Sequence, residues 1–320
     1  LQLGRQLVHQ TGQAAHLLHL ADLQQEVVQR VEAAHRAARP PLPSGRRVRA
    51  AALMQHPQVG QVRRLLGAQQ AGYGGSGVDI TPPSGWTTLY STNHGGYVLN
   101  VTIDLYAHAI IEPRSDGKII FNAIDRNEFC EFDSTSHIPD VNPLRLHRGI
   151  YNKIISQFCD GIPLSFTLTT YADAPAGSGL GTSSTMVVAI IQSFCSLLNL
   201  GLGEYDIAHL AYIIEREDLN LSGGKQDQYS ASFGGFNFME FGPADRVLIN
   251  PLRINESIKN ELESSLILFY TGQSRDSATI IDDQIYNINT NAVTLSSMHS
   301  LKQDAIIMKE ALLRGNLVKI

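Results

Sequence analysis

Gly177, Gly179 and Gly181 fall within five residues and lead into Thr182, Ser183 and Ser184, ahead of a long apolar run. That order of residue types suits one chemistry above others, the holding of a phosphate. Glycines let backbone N–H groups turn towards an anion with no Cβ in the way, and the start of a following helix adds partial positive charge. The whole segment, Pro175-Ala176-Gly177-Ser178-Gly179-Leu180-Gly181-Thr182-Ser183-Ser184, therefore reads as a cradle for a nucleotide; a tight turn with a helix cap is the plainer alternative. No lysine follows the last glycine, so the segment departs from the G-x-x-x-x-G-K-[ST] pattern of Walker-type NTPases. The run G-x-G-x-G, with no ribose-binding acid about 20 residues after the strand expected at Phe166 to Tyr171, is no Rossmann fingerprint either.

A second constellation stands about 45 residues on: Ser222-Gly223-Gly224-Lys225-Gln226-Asp227-Gln228-Tyr229. Asp227 follows a Gly-Gly turn and precedes a short helix, a place where a carboxylate can be held at the edge of a cleft; a turn or capping aspartate is the alternative. Between the two motifs, Ile207 to Asp218 has helical apolar spacing and gathers Glu215, Glu217 and Asp218 at its end. These acids form either a solvated helix end balanced by Arg216, or a face from which one carboxylate holds Mg²⁺ beside a nucleotide. Mg²⁺ favours one or two protein oxygens together with phosphate oxygens and water.

The elements that must position these residues are legible in outline. Strands are expected at Tyr97 to Ile103, Ala107 to Glu112, Lys118 to Ile124, Phe166 to Tyr171 and Ser264 to Thr271, with helices at Thr185 to Leu200, Ser277 to Tyr286 and Ala292 to Leu313. From Ala174 to Gly203 there is no charged residue, yet the helix there contains Gln192, Ser193, Ser196 and Asn199 and is too short to span a bilayer, so it reads as a core helix. With 320 residues, 43% hydrophobic and 17% charged, the chain has the composition of a globular protein large enough for two domains. Cys130, Cys159 and Cys195 are odd in number and far apart, which argues against a disulfide framework or a zinc site and fits a reducing cytoplasm. The net charge of −5 divides unevenly: residues 1–72 carry +6, with nine Arg and no Lys, and the remainder carries −11. This Arg-, Gln- and Ala-rich stretch is expected to be a loosely helical or disordered extension rather than a nucleic-acid or lipid-binding tract, and the start at Leu1 suggests a fragment or a misplaced gene start.

The motifs resemble those of the GHMP kinases. Pro175 to Ser184 is similar to that superfamily's P-x-x-x-G-L-G-S-S phosphate loop, and Gly223-Gly224-Lys225-Gln226-Asp227-Gln228-Tyr229, with Phe233-Gly234-Gly235-Phe236-Asn237-Phe238-Met239-Glu240-Phe241 after it, resembles the heptose 7-phosphate kinase branch. His94-Gly95-Gly96-Tyr97-Val98-Leu99-Asn100 and Leu266 to Ala278 extend the resemblance over residues 73–320. It implies an α+β, two-domain fold: a ribosomal protein S5 domain 2-like, ATP-binding N-terminal domain at 73–242 and a ferredoxin-like C-terminal domain at 243–320. The second is read as incomplete, because the superfamily's third, glycine-rich motif does not occur before Ile320.

The resemblance also implies roles. Backbone amides from Gly177 to Ser183 wrap the ATP phosphates, with Pro175, Leu180, Thr182 and Ser184 completing the loop, and Ser183 and Glu215 hold Mg²⁺. Asp227 is the base or orienting carboxylate for a sugar 1-hydroxyl, Lys225 helps to neutralise charge, and Gly223 and Gly224 border the substrate. Asp79, in Gly74-Gly75-Ser76-Gly77-Val78-Asp79, stands where the family's Gly-Gly-Gly-Thr-Asp motif has its sugar-binding aspartate, although one residue is extra and Val78 replaces the threonine. Thr271, Ser274 and Arg275 are candidates for a 7-phosphate. The implied reaction is ATP-dependent phosphorylation of D-glycero-α-D-manno-heptose 7-phosphate at O1; a fucokinase-like sugar 1-kinase and a nucleotide-binding fragment without turnover are the alternatives. Partners are the sugar phosphate and ATP, with no nucleic acid or membrane, and a homodimer is left open.

Overall fold

The computed structural model describes residues 70–79, 89–139, 143–266 and 277–320. Its centre is a seven-stranded sheet built around one long strand. In chain order the strands are β1 (Gln70–Asp79), β2 (Gly96–Pro113), β3 (Lys118–Ala123), β4 (Glu128–Asp133), β5 (Phe166–Ala172), β6 (Phe236–Phe241) and β7 (Val247–Pro251). They run in the order β4-β3-β5-β2-β6-β7, with β1 also paired to β2; only β3 and β5 are parallel.

The two strands expected at Tyr97 to Ile103 and Ala107 to Glu112 are one. β2 is continuous over 18 residues because β1 pairs with it from Asn100 to Ile111, across the point where Gly96 to Val101, paired with β6, gives way to Ala107 to Pro113, paired with β5. β1 crosses the half-exposed middle of β2 with a register shift between Gly75 and Gly77, where a pattern of apolar residues alone suggests a break.

Helices follow the same logic: α1 (Leu89–His94), α2 (Arg145–Phe158), α3 (Thr182–Leu198), α4 (Glu204–Tyr212), α5 (Gln226–Phe233), α6 (Glu256–Ser265), α7 (Ser277–Thr290) and α8 (Ala292–Leu313). The uncharged helix is α3. Ten of its residues, from Ser184 to Phe194, are buried, which overrides the modest helix propensity of its β-branched residues. It stops where Asn199 takes a left-handed φ of 53° and its N–H bonds back to Cys195. No helix among the described residues is long and apolar enough to cross a membrane.

The core has two faces at the β2–β6 end. Val98 and Met239 point to the side of α4 and α5, where Ala208 and Tyr229 cover them, while their neighbours Leu99 and Phe238 point to Leu262, Ala305 and Leu312 of α6 and α8. The period-two alternation of a strand sorts these residues to opposite faces. At the other end α2 and α3 bury Ile111, Phe121, Phe166 and Leu168.

The strand expected over Ser264 to Thr271 does not begin at Ser264: Ser264 and Ser265 close α6, which starts at the cap Asn255, whose side chain accepts from Ser257 N. Residues 267–271 lie outside the described residues. The β6–β7 hairpin, with Phe241 paired to Val247, carries the sheet across the expected domain boundary at 242.

Candidate active site

Strand β5 delivers the chain to Asp173, whose carboxylate accepts from Tyr106 N at 2.9 Å, and the glycine loop begins two residues later. Gly177, Gly179 and Gly181 all lie in the left-handed region, at φ 72°, 79° and 67°. An L-residue pays roughly 1–2 kcal/mol for that conformation, so the spacing of glycines in the sequence is a backbone requirement. Gly181 is also the N-cap of α3 and has no side chain to satisfy the first amides of the helix, which are therefore available to an anion. Two hydroxyls of the loop, Ser178 Oγ and Thr182 Oγ1, are shielded from solvent and have no hydrogen-bond partner among the described residues. A buried hydroxyl without a partner costs about 1–3 kcal/mol, and phosphate oxygens are partners that would remove that cost.

Helix α4 does not continue regularly to Asp218. Residues Ile213–Asp218 form a π-helical turn, a local widening found often at functional sites. Helical spacing alone places Glu215 at a solvated helix end. The turn instead buries it, at 1% exposure, while Glu217 and Asp218 remain exposed. There Glu215 Oε1 accepts from Ser183 Oγ at 3.1 Å, so two residues expected to share a cation do meet. Glu215 Oε2 accepts from Gln228 Nε2 at 2.6 Å, and Arg216 Nη1 stands 3.9 Å from Oε1. A hydroxyl and a carboxylate are hard oxygen donors of the type Mg²⁺ takes. Among the described residues no cluster of three or more His, Cys, Asp and Glu side chains assembles, so a cation held here draws its remaining oxygens from ligand phosphates and water.

Asp227 lies in the first turn of α5 rather than ahead of it, and its carboxyl rests on the cradle: a Cβ at Gly181 would stand 3.1 Å from Asp227 Cγ and 3.2 Å from Oδ1. Burial raises the Asp227 carboxyl to about 6, and the neighbouring Glu215 charge pushes in the same direction, against the Arg216 guanidinium. The Gly-Gly turn ahead of it is held from below. Arg216 Nε donates to Gly224 O at 3.2 Å, and its guanidinium occupies the space a side chain at Gly223 would need. Gly223 and Gly224 thus serve the packing of Arg216.

The Lys225 ammonium is engaged elsewhere, in an ion pair with Asp245 and 4.6 Å from the centre of the Tyr212 ring. Burial lowers its pKa.

On the expected sugar side, the backbone of Asp79 pairs with Asn100 on β2, and Asn100 pairs with Asn237 on β6. Ser230, one helical turn beyond Asp227, donates to Asn100 Oδ1. The register therefore brings the end of β1 to the strand that α5 is tied to. Thr271, Ser274 and Arg275 lie outside the described residues.

Sequence reasoning missed Gln228 and Arg216 as parts of the site. Their signal was only proximity, Gln228 beside Asp227 and Arg216 beside Glu215; which way they point depends on the π turn.

Comparison with known proteins finds related kinases. The family model for the GHMP kinases N terminal domain matches residues 146–235, which span α2 to the end of α5. A D-glycero-alpha-D-manno-heptose 7-phosphate kinase of Campylobacter jejuni subsp. jejuni serotype O:2 is 49% identical over 245 residues, or 77% of this chain and 70% of the relative. An L-fucokinase/L-fucose-1-P guanylyltransferase of Bacteroides fragilis is 25% identical over 79% of this chain and 29% of its own length. Among solved structures, a D-glycero-D-manno-heptose 1-phosphate kinase from Bacteriodes thetaiotaomicron superposes with a TM-score of 0.69 at 42% identity, covering 79% of this chain and 75% of that one.

Proposed function

Because this chain belongs to the GHMP kinase family, we propose that it phosphorylates D-glycero-α-D-manno-heptose 7-phosphate at O1, with ATP as donor and Mg²⁺ as cofactor, to give the 1,7-bisphosphate. In broader terms the chain is a phosphotransferase with an alcohol group as acceptor, a kinase of sugar phosphates.

Bound Mg–ATP supplies the phosphoryl group and much of the charge neutralisation its transfer needs. The chain's residues do the rest. Amides of Gly177 to Ser183 and the hydroxyls of Ser178 and Thr182 hold the phosphates, and Ser183 with Glu215 holds the cation. Asp227 lies against Gly181, where a sugar hydroxyl directed at the cradle meets it. Its carboxylate orients that hydroxyl and takes its proton as the oxygen forms a bond to phosphorus and the bond to the leaving ADP oxygen breaks. A base whose pKa lies near 6 is ionised at neutral pH, yet basic enough to accept a proton as the new bond develops. Asp79 and Arg275 complete the reading as contacts for the sugar and its 7-phosphate.

The observation that supports this reading is the contact of the Asp227 carboxyl, raised by burial, with Gly181 of the glycine loop. Its test is release of ADP with the heptose 7-phosphate, the heptose 1-phosphate and fucose offered in parallel. The names of the relatives differ in which heptose phosphate they contain, so this comparison bears on position as well as on class. The proposal expects the 7-phosphate to have the highest kcat/KM by at least an order of magnitude. Equal or better turnover of fucose or the 1-phosphate would overturn the substrate assignment.

A further inference from the structure

Gln228 is fully buried between three elements. From α5 its Nε2 donates to Glu215 Oε2 on the π turn at 2.6 Å and to Ser184 Oγ on α3 at 3.1 Å. Exchanging the amide oxygen and nitrogen would set a carbonyl against a carboxylate at that distance, so the chemistry of Glu215 fixes which way the amide faces. Gln228 Oε1 is then left shielded with no hydrogen-bond partner among the described residues. A methionine or leucine would fill the same volume without stranding an oxygen, so packing alone does not account for a glutamine here. Glu215 does account for it: the amide supplies Oε2 with a donor and leaves Oε1 to face Ser183.

We infer that Gln228 is a positioning residue for the cation site: its amide locks the rotation of the Glu215 carboxylate so that Oε1 is presented, with Ser183 Oγ, to a divalent cation. This rests on the reading of Ser183 and Glu215 as the ligands of that cation. Gln228 touches neither substrate nor metal and acts through Glu215. The tie to Ser184 adds a second effect, since it joins the helix that begins at the phosphate loop to the helix that carries Asp227.

The test is calorimetric titration of ATP, with and without Mg²⁺, into the wild-type chain and its Gln228→Met, Glu215→Gln and double variants. The quantity read is the factor by which Mg²⁺ tightens nucleotide binding. Residues that orient metal ligands are worth roughly ten- to a hundredfold in metal affinity, so Gln228→Met is expected to lower that factor by this much while metal-free ATP binds within about threefold of wild type. Glu215→Gln is expected to lower it at least as far, and the double variant no further, because two residues acting through one carboxylate are not additive. Loss of the factor in Glu215→Gln but not in Gln228→Met would overturn the inference and leave the cation reading standing. An unchanged factor in Glu215→Gln would overturn both. Equal weakening with and without Mg²⁺ in Gln228→Met would mark a role in packing alone and also overturn the inference. Should Gln228→Met fail to fold by circular dichroism, Gln228→Asn, which keeps the amide one methylene short of Glu215, decides by the same criteria.

Discussion

Gly179 and Gly181 offer a matched pair of substitutions. Both have a left-handed backbone, at φ 79° and 67°, so an alanine at either costs roughly 1–2 kcal/mol of backbone strain. At about 2–4 °C per kcal/mol for a domain of this size, each variant should melt roughly 2–8 °C lower. Their surroundings differ. Nothing lies within 4 Å of a Cβ built on Gly179, whereas at Gly181 the Asp227 side chain stands at 3.1–3.3 Å and must give way by a few tenths of an ångström. A 1 Å misplacement of a reacting group costs on the order of a hundredfold, so a few tenths should cost roughly three- to tenfold in kcat. Gly181→Ala is therefore expected to match Gly179→Ala in melting temperature but to show a kcat lower by that factor, measured as ADP release at saturating ATP and sugar phosphate. Equal kcat in the two variants would refute the claim that the Gly181 contact sets the position of Asp227.

Three further outcomes follow from the geometry. With Asp227 raised to about 6, kcat should fall as pH drops through that value, and the native state should be destabilised as pH rises through it; Asp227→Asn should therefore melt higher than wild type at pH 8 and converge with it below pH 4, as read by differential scanning calorimetry. Burial holds His147 down to about 3, with its Nε2 within 2.9 Å of Thr170 Oγ1. Its neutral form thus supports the fold above the unfolded pKa of about 6.5, and up to about 1.4 kcal/mol per pH unit is lost as pH falls towards 3; urea titrations of His147→Gln should show a flatter acid limb. Lys225→Met and Asp245→Asn should each lower the melting temperature, because each breaks the same ion pair, and Lys225→Met more, because it also gives up the Tyr212 ring; equal kcat in the two variants would refute a role for the ammonium in neutralising charge at the site.

How much of this was legible in the sequence differs from part to part. The cradle was, because left-handed glycines and an uncharged core helix are requirements of the backbone and of burial, and both leave a mark on residue type. The pairing of Ser183 with Glu215 could be expected from kinship, but its physical cause could not: a π turn over six residues with ordinary helical spacing turns Glu215 inward, and no residue type announces it. Gln228 was invisible for a related reason, as a glutamine declares a donor and an acceptor but not the carboxylate it will meet. The length of β2 was hidden because its middle, Asp104 to Tyr106, is the least buried part, while the strands that pair with it are β1, which precedes it, and β5 and β6, which lie far along the chain. The strand expected from Ser264 failed at its start, where the Asn255 cap had already committed the preceding residues to α6.

On the proposed function, Asp227 directs phosphoryl transfer to the anomeric oxygen of a heptose 7-phosphate. Phosphorus NMR of the product formed from D-glycero-α-D-manno-heptose 7-phosphate, ATP and Mg²⁺, by the wild-type chain and by Asp227→Asn, tests it most directly. A second phosphorus resonance coupled to the anomeric proton is expected, appearing at least a hundredfold more slowly in the variant. A new phosphate on any other oxygen, or an undiminished rate in Asp227→Asn, would contradict it.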